Sequence, residues 1–286
     1  MVQKDQKVRS LMKLGFTRNK LNNAVTDEAV PNATQVSTET KRSDGREVMI
    51  SVEGLCKSFG DNQVLKSLDL SVYEGELFGI LSKSGEGKTA LLECIVGASN
   101  FDEGRVTLNG FDVQYEPIEA KSTFGYVAEL PLCYESMTGY DYLEFVANIY
   151  RITEGDLIRN MQYLCERLDL PEQKLCERIE TYSVATKQKL CIVASVIYNP
   201  KIWILDNPSA LLDTMTAETL KKMLRDYANH SKTVLVATNN VDLVAKVCDK
   251  AAIIHNGTIS AVHDLNKEPN KRIQLSKIFA DTYRRR

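Results

Sequence analysis

No stretch of this chain is long and apolar enough to cross a bilayer. A spanning helix needs about 18 or more consecutive apolar residues. The longest candidate, Cys191 to Leu205, is interrupted at Asn199-Pro200-Lys201, so any membrane-spanning part is expected on another chain. A basic excess is also missing: 36 Lys and Arg against 38 Asp and Glu give a net charge of -2, and no nucleic-acid partner is expected. Paired cysteines are missing too. Cys56, Cys94, Cys133, Cys165, Cys176, Cys191 and Cys248 stand singly, without C-x-x-C spacing. They read as small core residues in a reducing compartment rather than disulfide or metal partners. The first twenty residues carry Lys4, Lys7, Arg9, Lys13, Arg18 and Lys20 against Asp5, yet lack the apolar core of a secretory signal. The stretch VRSLMKLGF within them reads as part of a solvated tail or as a weak amphipathic anchor. With the polar residues that follow, 1–46 is expected to be a disordered tail and 47–286 the folded domain.

What is present is enough for a sizeable core: 286 residues, 43% of them hydrophobic. The chain is organised around Leu77 to Val96, LFGILSKSGEGKTALLECIV, an apolar strand running through a Gly-containing turn into an apolar helix. That is the layout of a phosphate-binding loop. Gly85 and Gly87 let the backbone approach an anion, Lys88 adds a full charge, and Thr89 offers a hydroxyl to Mg²⁺. The expected ligand is a nucleoside triphosphate. Ser82 stands where the strict pattern G-x-x-x-x-G-K-S/T has its first Gly, and if that turn needs a positive φ the substitution costs about 1–3 kcal/mol. Glu86 adds a negative charge to the loop and suits an anion only if its side chain points to solvent. A Gly/Lys turn joining two buried elements is the bland alternative.

Around that loop, Val48 to Val52 and Val64 to Val72 alternate as antiparallel strands joined through a turn at Gly60-Asp61-Asn62. Phe59, just before the turn, could stack on a base if its ring is exposed, and on its own reads rather as a core residue. Short strands are expected at 103–110 and 124–128. From about 131 to 181 the pattern turns helical, with Thr138-Gly-Tyr-Asp141 as a capping box and an amphipathic helix over 157–168. Helix resumes over 183–198, and strand 201–205 ends on Asp206, a carboxylate placed to hold Mg²⁺. A helix over 216–229, a strand over 233–238, a helix over 243–248 and a hairpin about Asn256-Gly257 follow. This alternation predicts a mostly parallel sheet with helices on both faces and nucleotide at the carboxyl ends of its strands.

Asn239-Asn240-Val241-Asp242 is faintly similar to the N-K-x-D motif of GTPases. Asn240 occupies the lysine position, however, and Asp206 is followed by Asn-Pro-Ser where D-x-x-G is needed. Phe59, the loop at 82–89, the helical insert, TYSVATKQKL and ILDNPSALLD together resemble the nucleotide-binding subunit of an ABC transporter over about Val48 to Tyr283. MTGYDYLEFVANIY and YSVATKQKL look most like the ATPases of exporter-type systems. The resemblance implies an α/β P-loop fold of the ABC ATPase type: a mostly parallel sheet core, an antiparallel β subdomain and a helical insert.

By that resemblance Phe59 stacks on adenine, and Ser82, Lys83, Ser84, Gly85, Glu86, Gly87, Lys88, Thr89 and Ala90 wrap the triphosphate of ATP. Thr89, Asp206 and Glu129 face Mg²⁺, with Glu129 standing where the family has Gln. Asn207 replaces the glutamate that orients the attacking water, and Asn239 the histidine that contacts the γ-phosphate. Ser183 survives from the signature motif L-S-G-G-Q, whose glycines are replaced by Val184 and Ala185. The implied protein is a peripheral subunit on the cytoplasmic face of a membrane, paired with a second ATPase subunit as homodimer or heterodimer. It would power or gate a separate transmembrane subunit with weakened ATP hydrolysis. A regulatory pseudo-ATPase outside transport is the alternative.

Overall fold

The computed structural model describes residues 45–284. The tail expected at 1–46 lies outside them except for Gly45 and Arg46, as do Arg285 and Arg286. In chain order come β1 (Val48–Phe59), β2 (Asn62–Tyr73), β3 (Leu77–Leu81), α1 (Lys88–Ile95), β4 (Glu103–Leu108), β5 (Phe111–Asp112), α2 (Pro117–Thr123) and β6 (Phe124–Val127). The helices α3 (Gly139–Ile149), α4 (Glu154–Arg167) and α5 (Glu172–Leu175) follow, then a 3₁₀ turn (Ile179–Thr181) and α6 (Val184–Val196). The chain continues through β7 (Ile202–Asp206), α7 (Thr214–Asn229), β8 (Thr233–Thr238) and α8 (Val241–Val247). It closes with β9 (Lys250–His255), β10 (Thr258–Asp264) and α9 (Pro269–Thr282).

The first sheet has the order β2-β1-β4-β5 and is antiparallel. β1 runs seven residues beyond Val52, where its sequence alternation ends, because register shifts around Gly54 keep it paired with β2 as far as Phe59. The second sheet, β10-β9-β3-β8-β7-β6, is parallel from β9 to β6, with β10 an antiparallel edge. Every residue of β3, β7 and β8 is buried, as strands covered on both faces require.

Period-two alternation divides those strands between two cores. Leu77, Leu81, Trp203, Leu205, Val234 and Val236 face the core shared with the helices of the insert. Phe78, Ile80, Ile202, Ile204, Leu235 and Ala237 face the core shared with α1 and the antiparallel sheet. The phosphate loop thus leaves a strand locked on both sides. At Gly79 a Cβ would come within 2.7 Å of the Val244 side chain, so only glycine lets α8 pack so closely on β3.

The segment 131–181 holds α3, α4, α5 and the 3₁₀ turn. Thr138 caps α3 by accepting from the Asp141 N–H at 3.1 Å, and Thr153 caps α4 by accepting from Asp156 at 3.2 Å. Leu143, Leu157, Leu164, Leu175 and Ile179 share one buried cluster with the parallel sheet. Between Asn109 and Phe124, where the sequence pattern marks no element, lie β5 and α2. Two residues are too few to show a strand period, and α2 announces itself only by Pro117 at its first position.

Candidate functional site

The loop between β3 and α1 is the centre of the site. Gly85 and Gly87 have φ of 84° and 94°, which any side chain would strain, and a Cβ at Gly85 would meet no atom within 4 Å. Gly87 is the N-cap of α1 and supplies no side-chain cap, so the N–H groups of the first turn are left for an outside acceptor. Ser82 keeps a negative φ. The strain feared for a non-glycine residue there does not arise. Its N–H reaches Thr238 O at 3.4 Å and its hydroxyl donates to Lys83 O at 3.0 Å.

The condition set for Glu86 is met in another way: instead of pointing into solvent its side chain goes to the β9–β10 turn, where Oε2 accepts from the Asn256 N–H at 2.8 Å and lies 3.7 Å from His255 Nδ1. Lys83 is likewise engaged: its N–H donates to the Tyr283 hydroxyl at 3.0 Å and its ammonium sits 4.4 Å from that ring's centroid. Tyr283 in turn donates to Ile254 O at 2.5 Å. The outer face of the loop is therefore braced by a hairpin turn and by the end of the chain. Ser84 is exposed beside them, and Ala90 is buried in the first turn of α1.

The inner face gathers charge. Lys88, 6% exposed, has its ammonium 3.9 Å from Asp206 Oδ1 and 4.0 Å from Glu129 Oε2. Thr89 Oγ1 donates to Asp206 Oδ2 at 2.6 Å. Asp206 is fully buried at the end of β7. Burial holds its carboxyl above the usual range, against the pull of the Thr89 bond and of Lys88. Its Oδ1 has no hydrogen-bond partner among the described residues. A buried carboxylate oxygen beside a Thr hydroxyl and an ammonium is a donor set that fits Mg²⁺ and phosphate.

Asn207 is buried, with φ of 44°, a conformation Asn tolerates better than most residues. Its Nδ2 donates to Glu129 Oε1 at 2.8 Å, and its Oδ1 accepts from Thr238 Oγ1 at 3.0 Å. Asn239 stands exposed just past β8. Phe59 is 53% exposed, which overturns its reading as core, and Lys57 lies 4.8 Å from its ring centroid. Ser183 is exposed and caps α6, its Oγ accepting from the Thr186 N–H at 3.1 Å. The structure thus joins 82–90, Asp206, Glu129 and Asn207, and leaves Phe59, Asn239 and Ser183 apart from that network.

Three contributors escaped the sequence reading. Thr238 carries the signal that marked Asp206, a first polar side chain at the carboxyl end of an apolar strand. Gln188, fully buried in α6, donates to Ala128 O at 3.3 Å and ties that helix to the residue before Glu129. Tyr283 carried no local signal.

A strand, a glycine loop with its lysine and an acidic strand end define a P-loop nucleotide-binding protein. The family follows from comparison: residues 65–210 match the family model described as ABC transporter. Over 216 residues the chain is 32% identical to the uncharacterized ABC transporter ATP-binding protein YdbJ of Bacillus subtilis (strain 168), covering 75% of this chain and 69% of that protein. The chain belongs to the ABC transporter family, as an ATP-binding subunit. Its fold agrees. A solved ATP-binding subunit of an ABC transporter superposes with a TM-score of 0.76 at 24% identity, over 82% of this chain and 98% of that one. The dimeric ATP-binding cassette MJ0796, bound to ADP and Pi after hydrolysis, gives 0.70 at 21% identity, over 76% and 99%. Among the described residues no helix is long and apolar enough to cross a membrane.

Proposed function

We propose that this chain binds Mg-ATP on the loop 82–90, hydrolyses it weakly, and drives or gates a separate transmembrane exporter from the cytoplasmic face of the membrane. The Asn207 amide carries the reading: it has no basic site, and both its ends are engaged by Thr238 and Glu129. Loss of general-base assistance costs about 10²–10⁴ in rate, roughly 3–5 kcal/mol of barrier. Binding depends on other groups. The N–H groups of α1 and Lys88 hold phosphate, Phe59 offers its exposed ring to the base, and Thr89, Asp206 and Glu129 hold Mg²⁺. The metal, when bound, neutralises phosphate charge.

A transmembrane partner has a surface to engage. Between β6, α3 and α6 lies a groove of about 360 Å³ whose walls include Tyr126, Leu132, Tyr142, Tyr150 and Tyr198. Leu132 and Ile149 on its walls are exposed, as are Leu130 and Phe145, and exposed apolar side chains beside an apolar groove suit a protein partner. The exposed Ser183 and Val184 stand outside this chain's own loop network, where the resemblance sets the nucleotide of a second ATPase subunit, identical or not; Ser183 would have to share the hydroxyl that now caps α6. In a homodimer both sites carry Asn207 and Asn239; with an intact partner only one does.

Titrating the purified chain with Mg-ATP and measuring phosphate release tests the proposal. Micromolar binding with turnover far below one per second is expected, whereas turnover of several per second would remove the claim of impairment. Co-purification with a multi-span membrane protein favours the transport role, and a soluble complex lacking one favours a regulatory pseudo-ATPase.

A further inference from the structure

Four residues of the site form one hydrogen-bonded line. The Glu129 carboxylate only accepts while ionised, so the Asn207 amide turns its Nδ2 to Glu129 Oε1 at 2.8 Å. Asn207 Oδ1 is then left to accept from the Thr238 hydroxyl at 3.0 Å. Thr238 Oγ1 in turn accepts from the Asn240 N–H, also at 3.0 Å. Glu129 Oε2 then lies 4.0 Å from the Lys88 ammonium, and the side chain is 40% exposed on its open side. Asp206, the other carboxylate near Lys88, is fully buried and already bonded to Thr89.

We propose that Glu129 and Asn207 are one acid–amide unit, in which Glu129 presents a second carboxylate to bound Mg²⁺ and triphosphate and Asn207 is its positioning residue. The idea rests on the Mg-ATP reading of the loop. In it the two residues are not separate losses. A carboxylate at 207 sets two acidic groups where the amide now donates at 2.8 Å, and one of them must turn away or take up a proton. A glutamate at 207 would in addition have to adopt the φ of 44°. Restoring an acid at 207 alone therefore damages the site unless position 129 becomes the amide.

The test is a double-mutant cycle on the full chain: Asn207→Asp, which keeps the shape and tolerates the same φ, Glu129→Gln, and the pair together. Thermal midpoints are measured without nucleotide. Glu129→Gln keeps an acceptor for the Asn207 amide and stays near the parent, Asn207→Asp falls by about 3–6 °C, and the pair regains most of the loss. A fluorescent ATP analogue is then titrated in Mg²⁺ and in EDTA. Glu129→Gln is expected to lose at least about tenfold of the affinity that Mg²⁺ adds. A pair as unstable as Asn207→Asp alone, or a Mg²⁺ gain untouched by Glu129→Gln, overturns the proposal. Failure of the unmodified chain to bind Mg-ATP overturns the nucleotide reading instead, and is told apart because the thermal cycle contains no nucleotide.

Discussion

The chain has two glycine- or serine-led turns that open into buried helices, and they treat their helix N-termini in opposite ways. At α1 the cap is Gly87, which supplies no side-chain acceptor, and the first-turn N–H groups look out beside Lys88 and Thr89. At α6 the cap is Ser183, whose own hydroxyl accepts from the Thr186 N–H at 3.1 Å and also pairs with the Thr186 hydroxyl at 2.8 Å. One end keeps its N–H groups for an anion; the other has already given one of them to its own serine. Val184, 53% exposed, stands at the capped end where the resemblance implies glycine. The difference teaches that a helix N-terminus offers an anion fewer free N–H groups once a side chain of its own chain accepts from one of them.

The comparison breaks most severely at Lys88. Lys88→Ala is expected to weaken Mg-ATP binding about 10- to 100-fold in a calorimetric titration, since a charge-assisted contact to phosphate is lost. Tyr283→Phe keeps the ring under Lys83 and removes the acceptor of its N–H; about a fivefold loss of affinity is expected with little change in melting, and an unchanged Kd would mean the brace does not shape the loop. Ser183→Ala opens the capped helix end. It should lower stability by about 1 kcal/mol, read as a shift in urea midpoint, while a single chain's own ATP affinity stays put. The smallest effect belongs to Ser82→Gly: because Ser82 already has a negative φ, glycine brings no relief and lowers stability by about 0.5–1 kcal/mol. Tighter nucleotide binding by the Ser82→Gly variant would contradict the geometry of this turn.

Much of the site was legible beforehand because its parts are local. Gly85, Gly87, Lys88 and Thr89 lie within one turn, and Asp206 ends a run of apolar residues whose meaning survives without neighbours. The same holds for Thr138, whose capping partner Asp141 is three residues away. For Phe59 the residues alone left exposed and core readings open and leaned to core, since an aromatic at a strand end has no local mark of which way it faces; at 53% exposed it is not core. For Glu86 solvent was the one harmless direction in view, because the hairpin turn that receives it lies 170 residues further along the chain.

The alternation of the longer strands and helices, the phosphate loop and the acidic strand end were determined by the sequence itself, through periodicity and the conformational demands of glycine; β5 and α2 were not. The direction of each polar group was decided only by the tertiary structure. Asn207 meets Glu129 across 78 residues and Lys83 meets Tyr283 across 200. A hydrogen bond depends on where the folded backbone brings donor and acceptor, and no repeat along the chain records that distance.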